Sequence, residues 1–158
     1  MPTAAHPGVE RVNALLVEAG LPGRVRLLPA AAPTAQAAAD QLGCPVGAIA
    51  NSLVFATGEG APLLVMTSGA HRVDTAVLGL RLGVEIHRAG AEFVREHTSQ
   101  PIGGVAPVGH PRPIRTVVDV DLAAYEQLWA AGGVPHAVFP LTYADLVRLT
   151  RGQELAVA

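Results

Sequence analysis

Apolar residues recur along this chain with two periods, one typical of helices and the other of strands. Val9, Val12 and Leu16 fall on one face of a helix over residues 8–19, which Gly20 ends. Further helices are predicted over residues 34–42, 74–82, 91–96, 121–131 and 142–149. Short alternating or continuous apolar runs predict strands over residues 24–28, 49–55, 63–67, 84–87, 114–118, 136–139 and 155–157. Because strands and helices interleave through short connections, the pattern predicts an α+β fold on a mixed sheet.

Polar and glycine residues predict where several of these helices begin and end. Thr34 is a predicted N-cap, and Gly43 is the predicted stop of the same helix. Thr142 is the predicted N-cap of the last helix. The helix over residues 74–82 is predicted to bury Ala76, Val77 and Leu80. The helix over residues 121–131 is predicted to bury Leu122, Tyr125 and Trp129.

Length and composition restrict the class of protein. A chain of 158 residues and 16.2 kDa, half apolar and 15% charged, fits one domain over residues 1–158 and excludes a disordered chain. No apolar run reaches the roughly 20 residues of a membrane span, so no membrane partner is expected. The single cysteine, Cys44, cannot form an internal disulfide, which makes a reducing cytoplasm the expected location.

All eleven basic residues are arginine, and the formal net charge is −2. The absence of lysine excludes Schiff-base chemistry and a Walker-type phosphate lysine. The small net charge argues against a domain that grips long nucleic acid through its phosphates. It leaves open a protein that touches only the end of an RNA.

The segment over residues 100–110 is the most unusual in the chain. Its adjacent Gly103 and Gly104 let the backbone approach a ligand closely and turn N–H groups outward, and Pro107 fixes the following bend. The segment is either a tight connection between elements or a backbone cradle for an oxyanion.

Two further segments carry candidate chemistry. His71, Arg72 and Asp74 follow a strand end, where α/β sheets present ligand-binding groups. Either Asp74 caps the helix and Arg72 is solvated, or Arg72 reaches a phosphate or pairs with a buried carboxylate. Strand alternation places Asn51 on an apolar face beside Ser52, where its amide is either satisfied by neighbouring backbone or lines a pocket. The six histidines lack metal-site spacing, so neither a metal nor another cofactor is expected.

These segments, in this order, resemble the YbaK/EbsC family, the free-standing relatives of the editing (insertion) domain of bacterial prolyl-tRNA synthetase. The likeness runs over about residues 33–150 and rests on several anchors in register. They are the helix at 34–42, the strands at 52–55 and 62–65, Arg72-Val73-Asp74 and the loop over residues 103–107. The resemblance implies a strongly twisted, partly barrel-like mixed sheet with surrounding helices, of the prolyl-tRNA synthetase-associated type. It also implies hydrolysis of the ester that joins a wrong amino acid to tRNA.

The family's Gly-x-x-x-Pro loop falls on Gly103 to Pro107, which implies catalytic roles for Gly103, Gly104 and Pro107. Active members carry a lysine directly before the serine or threonine of the second strand, and here that catalytic position is Asn51. Ala106 replaces a serine common in the family loop. The residues implied to bind substrate are Ser52, His71, Arg72, Val105, Ala106 and Asp119.

The predicted function is a trans-acting aminoacyl-tRNA deacylase that removes a small mis-attached amino acid. Its predicted partners are the aminoacylated 3′ end of tRNA and an aminoacyl-tRNA synthetase. An aminoacyl ester is already activated, so orienting water and stabilising the oxyanion can suffice. Two alternatives remain: a non-catalytic binding module that lost its chemistry with the lysine, and a zinc hydrolase built from scattered histidines.

Overall fold

The structure, a computed structural model, describes residues 6–32 and 34–158. Within them lie five helices: α1 Pro7–Glu18, α2 Ala35–Leu42, α3 Thr75–Leu82, α4 Ala91–Thr98 and α5 Tyr143–Thr150. The same residues contain eight strands: β1 Arg26–Leu27, β2 Ile49–Thr57, β3 Pro62–Ser68, β4 Ile86–Arg88, β5 Arg115–Asp119, β6 Leu128–Ala131, β7 Ala137–Leu141 and β8 Gln153–Leu155. The predicted α+β class is confirmed.

The strands form one mixed, twisted sheet, as predicted. The order is β1-β7-β6-β2-β3-β5-β8, and β4 pairs with β2 outside this path. The pairs β1–β7, β6–β7, β2–β3 and β2–β4 are antiparallel, whereas β2–β6, β3–β5 and β5–β8 are parallel.

The two edges of β2 have different partners. β3 pairs with one edge from Ala50 to Ala56. The opposite edge pairs with β6 only at Ile49 and Ala50, and with β4 only from Phe55 onward. Over residues 51–54, no strand of the described chain pairs with this second edge. The sheet therefore has a gap between β6 and β4, and the candidate site lies beside it.

Helix ends follow the predicted chemistry. The Thr34 hydroxyl accepts a hydrogen bond from the Ala37 amide at 3.1 Å, and Gly43 ends α2 in the left-handed conformation at φ +71°. The Thr142 hydroxyl likewise accepts from the Asp145 amide at 3.1 Å at the start of α5. These caps satisfy backbone groups that a helix leaves unpaired, which fixes where α2 and α5 begin.

The predicted helix over residues 121–131 is wrong. The structure has a short 3₁₀ segment, Val120–Ala124, followed by strand β6. Leu128, Trp129 and Ala130 are all buried because both faces of β6 are covered, and a strand of this kind has no alternation to separate it from a helix. Leu122 and Trp129 are nevertheless buried, as predicted, and Tyr125 is half-buried.

The predicted buried face of α3 is also wrong. Leu80 is 86% exposed and Ala76 is exposed, whereas Leu78 is fully buried. Leu78 packs with Leu63 and Val65 of β3. The helical repeat fits two pairs of residues equally well, 76 with 80 and 78 with 82. Periodicity alone therefore does not determine which face of α3 is buried.

Other predictions differ from the structure only at their boundaries. The N-terminal helix is present as α1, with Val9, Val12 and Leu16 buried. The first strand shortens to β1, and the last strand begins earlier, at Gln153. In the described part of the chain, the helices are too short and too polar for any of them to span a lipid bilayer.

Candidate active site

A small cavity lies beside the gap in the sheet, with a volume of about 130 Å³. Four of the predicted site residues line it: Asn51 and Ser52 from β2, and Gly103 and Val105 from the loop over residues 103–107. The sequence analysis missed the rest of the wall. Most of that wall is alanine, together with Trp129 and Val138: Ala32, Ala35, Ala38, Ala50, Ala130, Ala131 and Ala137. Most of the lining side chains are therefore small and apolar, and Thr34, Asn51 and Ser52 add polar groups.

Strand register determines what Asn51 and Ser52 contribute. Asn51 lies opposite Thr67 of β3, and its side chain is exposed on the cavity wall. Of the two alternatives left open by the sequence, the structure therefore places Asn51 on a pocket wall. Ser52 lies opposite Met66, and its hydroxyl contacts the Met66 sulfur at 3.3 Å. The Asn51 amide is thus the more accessible of the two polar groups.

The amides of the 103–107 loop fall into two sets. The Gly104 N–H donates to the Pro101 carbonyl at 3.0 Å, and the Ala106 N–H donates to Gln100 Oε1 at 2.6 Å. The Gly103 and Val105 amides have no acceptor among the residues that the structure describes. Val105 is only 3% exposed, and a buried amide without an acceptor costs about 1–3 kcal/mol. Val105 lines the cavity, so its N–H is a candidate donor for an oxygen atom that enters it.

The two glycines of the loop are required for different reasons. Gly103 has φ +90°, a conformation that residues with a side chain rarely adopt. Gly104 packs against the next connection, where a Cβ atom would lie 2.6 Å from the Val134 carbonyl carbon. Gly104 therefore lets the loop approach the connection between β6 and β7 closely. The N–H groups of Gly104 and Ala106 are both already hydrogen-bonded within the loop region.

His71, Arg72 and Asp119 do not line this cavity. Asp119 is buried, and its carboxylate accepts from the Ser68 amide at 3.0 Å, from the Thr67 hydroxyl at 3.3 Å and from the Asp121 amide at 3.0 Å. Arg72 is exposed. Gly104, Ala106 and Pro107 are buried behind the loop surface and do not line the cavity either. The substrate-binding and catalytic roles of these six residues stay predictions, as do the roles of the four that line the cavity.

His71, Asp119 and Asp121 form a cluster that the sequence pattern did not predict. His71 Nε2 lies 2.7 Å from Asp121 Oδ2, and one donor atom from each residue lies within 4.8 Å of the others. Such a set can hold a metal ion. Both Asp119 oxygens already accept hydrogen bonds from the surrounding chain, which explains the burial of this carboxylate without a metal.

Two other features lie outside the cavity wall. Burial raises the pKa of the half-buried Cys44 thiol, which favours a packing role for this residue over that of a nucleophile. An open depression of about 860 Å³ lies between the β2–β3 turn, α3 and β4, and none of the predicted site residues lines it. The small cavity is thus where the predicted residues converge.

Comparisons with known proteins agree with this fold. A family model described as the aminoacyl-tRNA editing domain matches residues 29–149, close to the predicted 33–150. The chain belongs to this family. It is 29% identical over 114 residues to the uncharacterized protein YwhH of Bacillus subtilis (strain 168), an alignment that covers 72% of each chain.

Solved structures agree as well. One, a candidate trans-editing enzyme for prolyl tRNA synthetase, superposes with a TM-score of 0.90 at 39% identity, over 96% of this chain and 97% of the other. The hypothetical protein APE2540 superposes with a TM-score of 0.85 at 27% identity, over 93% of this chain and 98% of the other. The resemblance predicted from the sequence is therefore confirmed.

Proposed function

We propose that this protein is a trans-acting aminoacyl-tRNA deacylase that removes a small, wrongly attached amino acid from the 3′ end of tRNA. One observation carries the proposal: Val105, a buried residue whose N–H lacks an acceptor among the described residues, lines a small cavity. Membership of the editing-domain family supports the same reaction. The proposed setting is quality control of translation in the cytoplasm, beside an aminoacyl-tRNA synthetase.

The size of the cavity suits one small amino-acid side chain. At about 130 Å³ it is well below the roughly 300–1,000 Å³ typical of pockets for drug-sized ligands. Its alanine-rich wall leaves room for a small side chain, and Thr34, Asn51 and Ser52 supply polar groups beside it. Selection in this proposal is steric: a small wrong residue enters, and a larger correct residue is excluded.

The chemistry proposed is attack of water on the ester carbonyl carbon, with the C–O bond to the ribose breaking after a tetrahedral intermediate forms. The Val105 and Gly103 amides donate to the developing oxyanion, and one such donor contributes about 3 kcal/mol in other enzymes. The Asn51 amide adds a neutral donor at the cavity wall. The base is supplied by the substrate's own α-amine or vicinal hydroxyl.

One cation lies beside the cavity. The Arg26 guanidinium stacks over the Trp129 ring at 4.6 Å from the ring centroid, and Trp129 is part of the cavity wall. Arg26 is exposed, so its remaining N–H groups are free to face solvent. This charge favours the approach of the phosphates at the end of a tRNA.

Deacylation of a panel of mischarged tRNAs, carrying amino acids from alanine to leucine, tests the proposal. We expect hydrolysis well above the uncatalysed rate for one or more of the smaller amino acids and none above it for leucine. Titration with a non-hydrolysable aminoacyl-adenosine analogue accompanies the assay. Binding without hydrolysis of any ester contradicts the proposal and favours a non-catalytic binding module instead.

A further inference from the structure

A buried glutamine lies behind the 103–107 loop and contacts its backbone twice. Gln100 is 6% exposed, and its Oε1 accepts a hydrogen bond from the Ala106 N–H at 2.6 Å. Its Nε2 donates to the Val108 carbonyl at 2.9 Å. One side chain therefore bridges two points on the far half of the loop.

Gln100 is itself fixed by its surroundings. Its own N–H donates to the buried Thr98 hydroxyl at 3.0 Å, directly after the end of α4. Both polar atoms of its side chain have partners, so rotating it would leave buried groups unsatisfied at a cost of about 1–3 kcal/mol each. The side chain is thus held in one rotamer.

A second side chain, that of His110, contacts the carbonyl group of Ala106, the residue whose N–H is bonded to Gln100. His110 Nε2 lies 2.8 Å from the Ala106 carbonyl oxygen. Burial lowers the pKa of His110, so the ring is neutral at neutral pH, and the tautomer that fits this contact carries its proton on Nε2. Ala106 is therefore bonded at its N–H by Gln100 and at its carbonyl by His110.

These contacts determine which amide of the loop stays without an internal partner. The Gly104 N–H is held by the Pro101 carbonyl, and the Ala106 N–H is held by Gln100. The peptide group between them carries the Val105 N–H, whose orientation is limited by its two fixed neighbours. The Gln100 contact therefore acts one peptide away from the N–H of Val105, a residue that lines the cavity.

We propose that Gln100 is a positioning residue for ester hydrolysis: through the Ala106 amide it sets the orientation of the Val105 N–H toward the oxyanion. This inference rests on the proposed function. Gln100 does not touch the substrate, so removing it misplaces the donor while leaving the cavity wall and substrate binding intact. A misplacement of about 1 Å is enough to lower the rate about 100-fold.

Replacement of Gln100 by methionine removes both hydrogen bonds while keeping a similar volume. We expect Gln100→Met to lower kcat about 30- to 100-fold and to change KM less than threefold, in line with the loss of an oxyanion donor. The matched control is Thr150→Val. The Thr150 hydroxyl also bridges the backbone, donating to the Leu146 carbonyl at 2.8 Å and accepting from the Gly152 amide at 3.1 Å, but at the end of α5. The Thr150→Val substitution should lower thermal stability and leave kcat unchanged.

Gln100→Glu provides a second variant in case Gln100→Met fails to fold. An ionised glutamate places a carboxylate oxygen against the Val108 carbonyl oxygen, and this repulsion moves the side chain away from the position that holds the Ala106 amide. Burial raises the pKa of such a carboxyl, and the protonated form donates to Val108 and keeps both contacts. We therefore expect kcat of Gln100→Glu relative to the wild type to rise as pH falls from 8 to 5.5. A ratio that stays constant over this range contradicts the inference.

The two proposals fail in different ways. A wild-type protein that hydrolyses none of the esters contradicts the proposed function, and this inference with it. A wild-type protein that is active, with a folded Gln100→Met variant of equal kcat, contradicts this inference alone. The inference is also contradicted if Gln100→Met and Thr150→Val have the same melting temperature and lose the same amount of kcat. The loss in Gln100→Met would then reflect lowered stability alone.

Discussion

The resemblance inferred from the sequence places Asn51 at the position where the family carries a lysine, and this chain contains no lysine to take over that role. Asn51 is exposed on the cavity wall, and it pairs with Thr67 on the neighbouring strand β3. An amide can donate a neutral hydrogen bond there, but it cannot offset the charge of an oxyanion or a phosphate. The stabilisation that the site provides therefore depends more on the backbone amides of Gly103 and Val105.

Asn51→Lys should retain or raise the activity of the deacylase. A charge-assisted hydrogen bond is roughly twice as strong as a neutral one, so we expect kcat/KM to rise about three- to tenfold. Gln153→Lys adds the same charge on exposed strand β8, away from the cavity, and should leave kcat/KM unchanged. Loss of activity in a folded Asn51→Lys protein would contradict the placement of Asn51 at the family's catalytic position.

Among individual residues, the polar part of the cavity wall is predictable from the sequence. Asn51, Ser52 and Gly103 are identified there, because unusual glycines and polar residues inside an apolar strand stand out from their neighbours, and the family resemblance adds Val105. Gln100 was missed. A glutamine before a proline in a loop is typical of an exposed position, and only the fold brings Ala106 and Val108 against it.

Among the helices, α3 has two leucines with opposite environments. Leu78 is fully buried against β3 and Leu80 is 86% exposed, although both fit a helical repeat. The predicted helix was correct and its predicted buried face was wrong. Two faces of the helix carry apolar residues at helical spacing, and the buried one is the face that contacts the sheet.

Leu78→Ala and Leu80→Ala form a matched pair that measures this difference. Leu78→Ala should lower the free energy of unfolding by about 2–5 kcal/mol, since it leaves a cavity in the core. Leu80→Ala should change it by less than about 0.5 kcal/mol. Urea denaturation of both variants provides the measurement. Equal losses would contradict the packing of α3 against β3.

Strand β6 marks the limit of element prediction for this chain. Its run Leu128-Trp129-Ala130-Ala131 is apolar throughout, because β6 lies inside the sheet between β7 and β2. Alternation is visible only when one face of a strand meets solvent, so a short run of this kind fits a helix equally well. The error matters for the site, since Trp129, Ala130 and Ala131 all line the cavity.

Across the molecule as a whole, the cavity depends on long-range pairing. β2 meets β6 about 80 positions further along the sequence, and only at two residue pairs, which leaves the edge of residues 51–54 open. Local patterns carry no information on which strands pair across such separations. A mixed sheet could therefore be predicted from the sequence, but neither its order nor the gap at the site could.

The N-terminal helix α1 contacts the segment over residues 100–110. α1 lies before residue 29, where the family match begins, yet Arg11 Nε donates to the Gly109 carbonyl at 3.2 Å. Arg148 of α5 donates to the Ala19 carbonyl at 2.9 Å, just after α1. Several of the α1 residues also belong to the main core, as does Val105 of the loop. A single domain over residues 1–158 stays a prediction that these contacts favour.

The proposed function requires that a small amino acid is hydrolysed from tRNA inside the cavity of about 130 Å³. Ala131 lies on its wall and is partly exposed, so a larger side chain there can fill the cavity without entering the core. The decisive experiment is the single-turnover rate for the best ester of the panel, measured on the wild type and on Ala131→Leu. We expect the rate to fall at least about tenfold in Ala131→Leu at an unchanged melting temperature. A wild-type rate in that variant would show that hydrolysis takes place elsewhere.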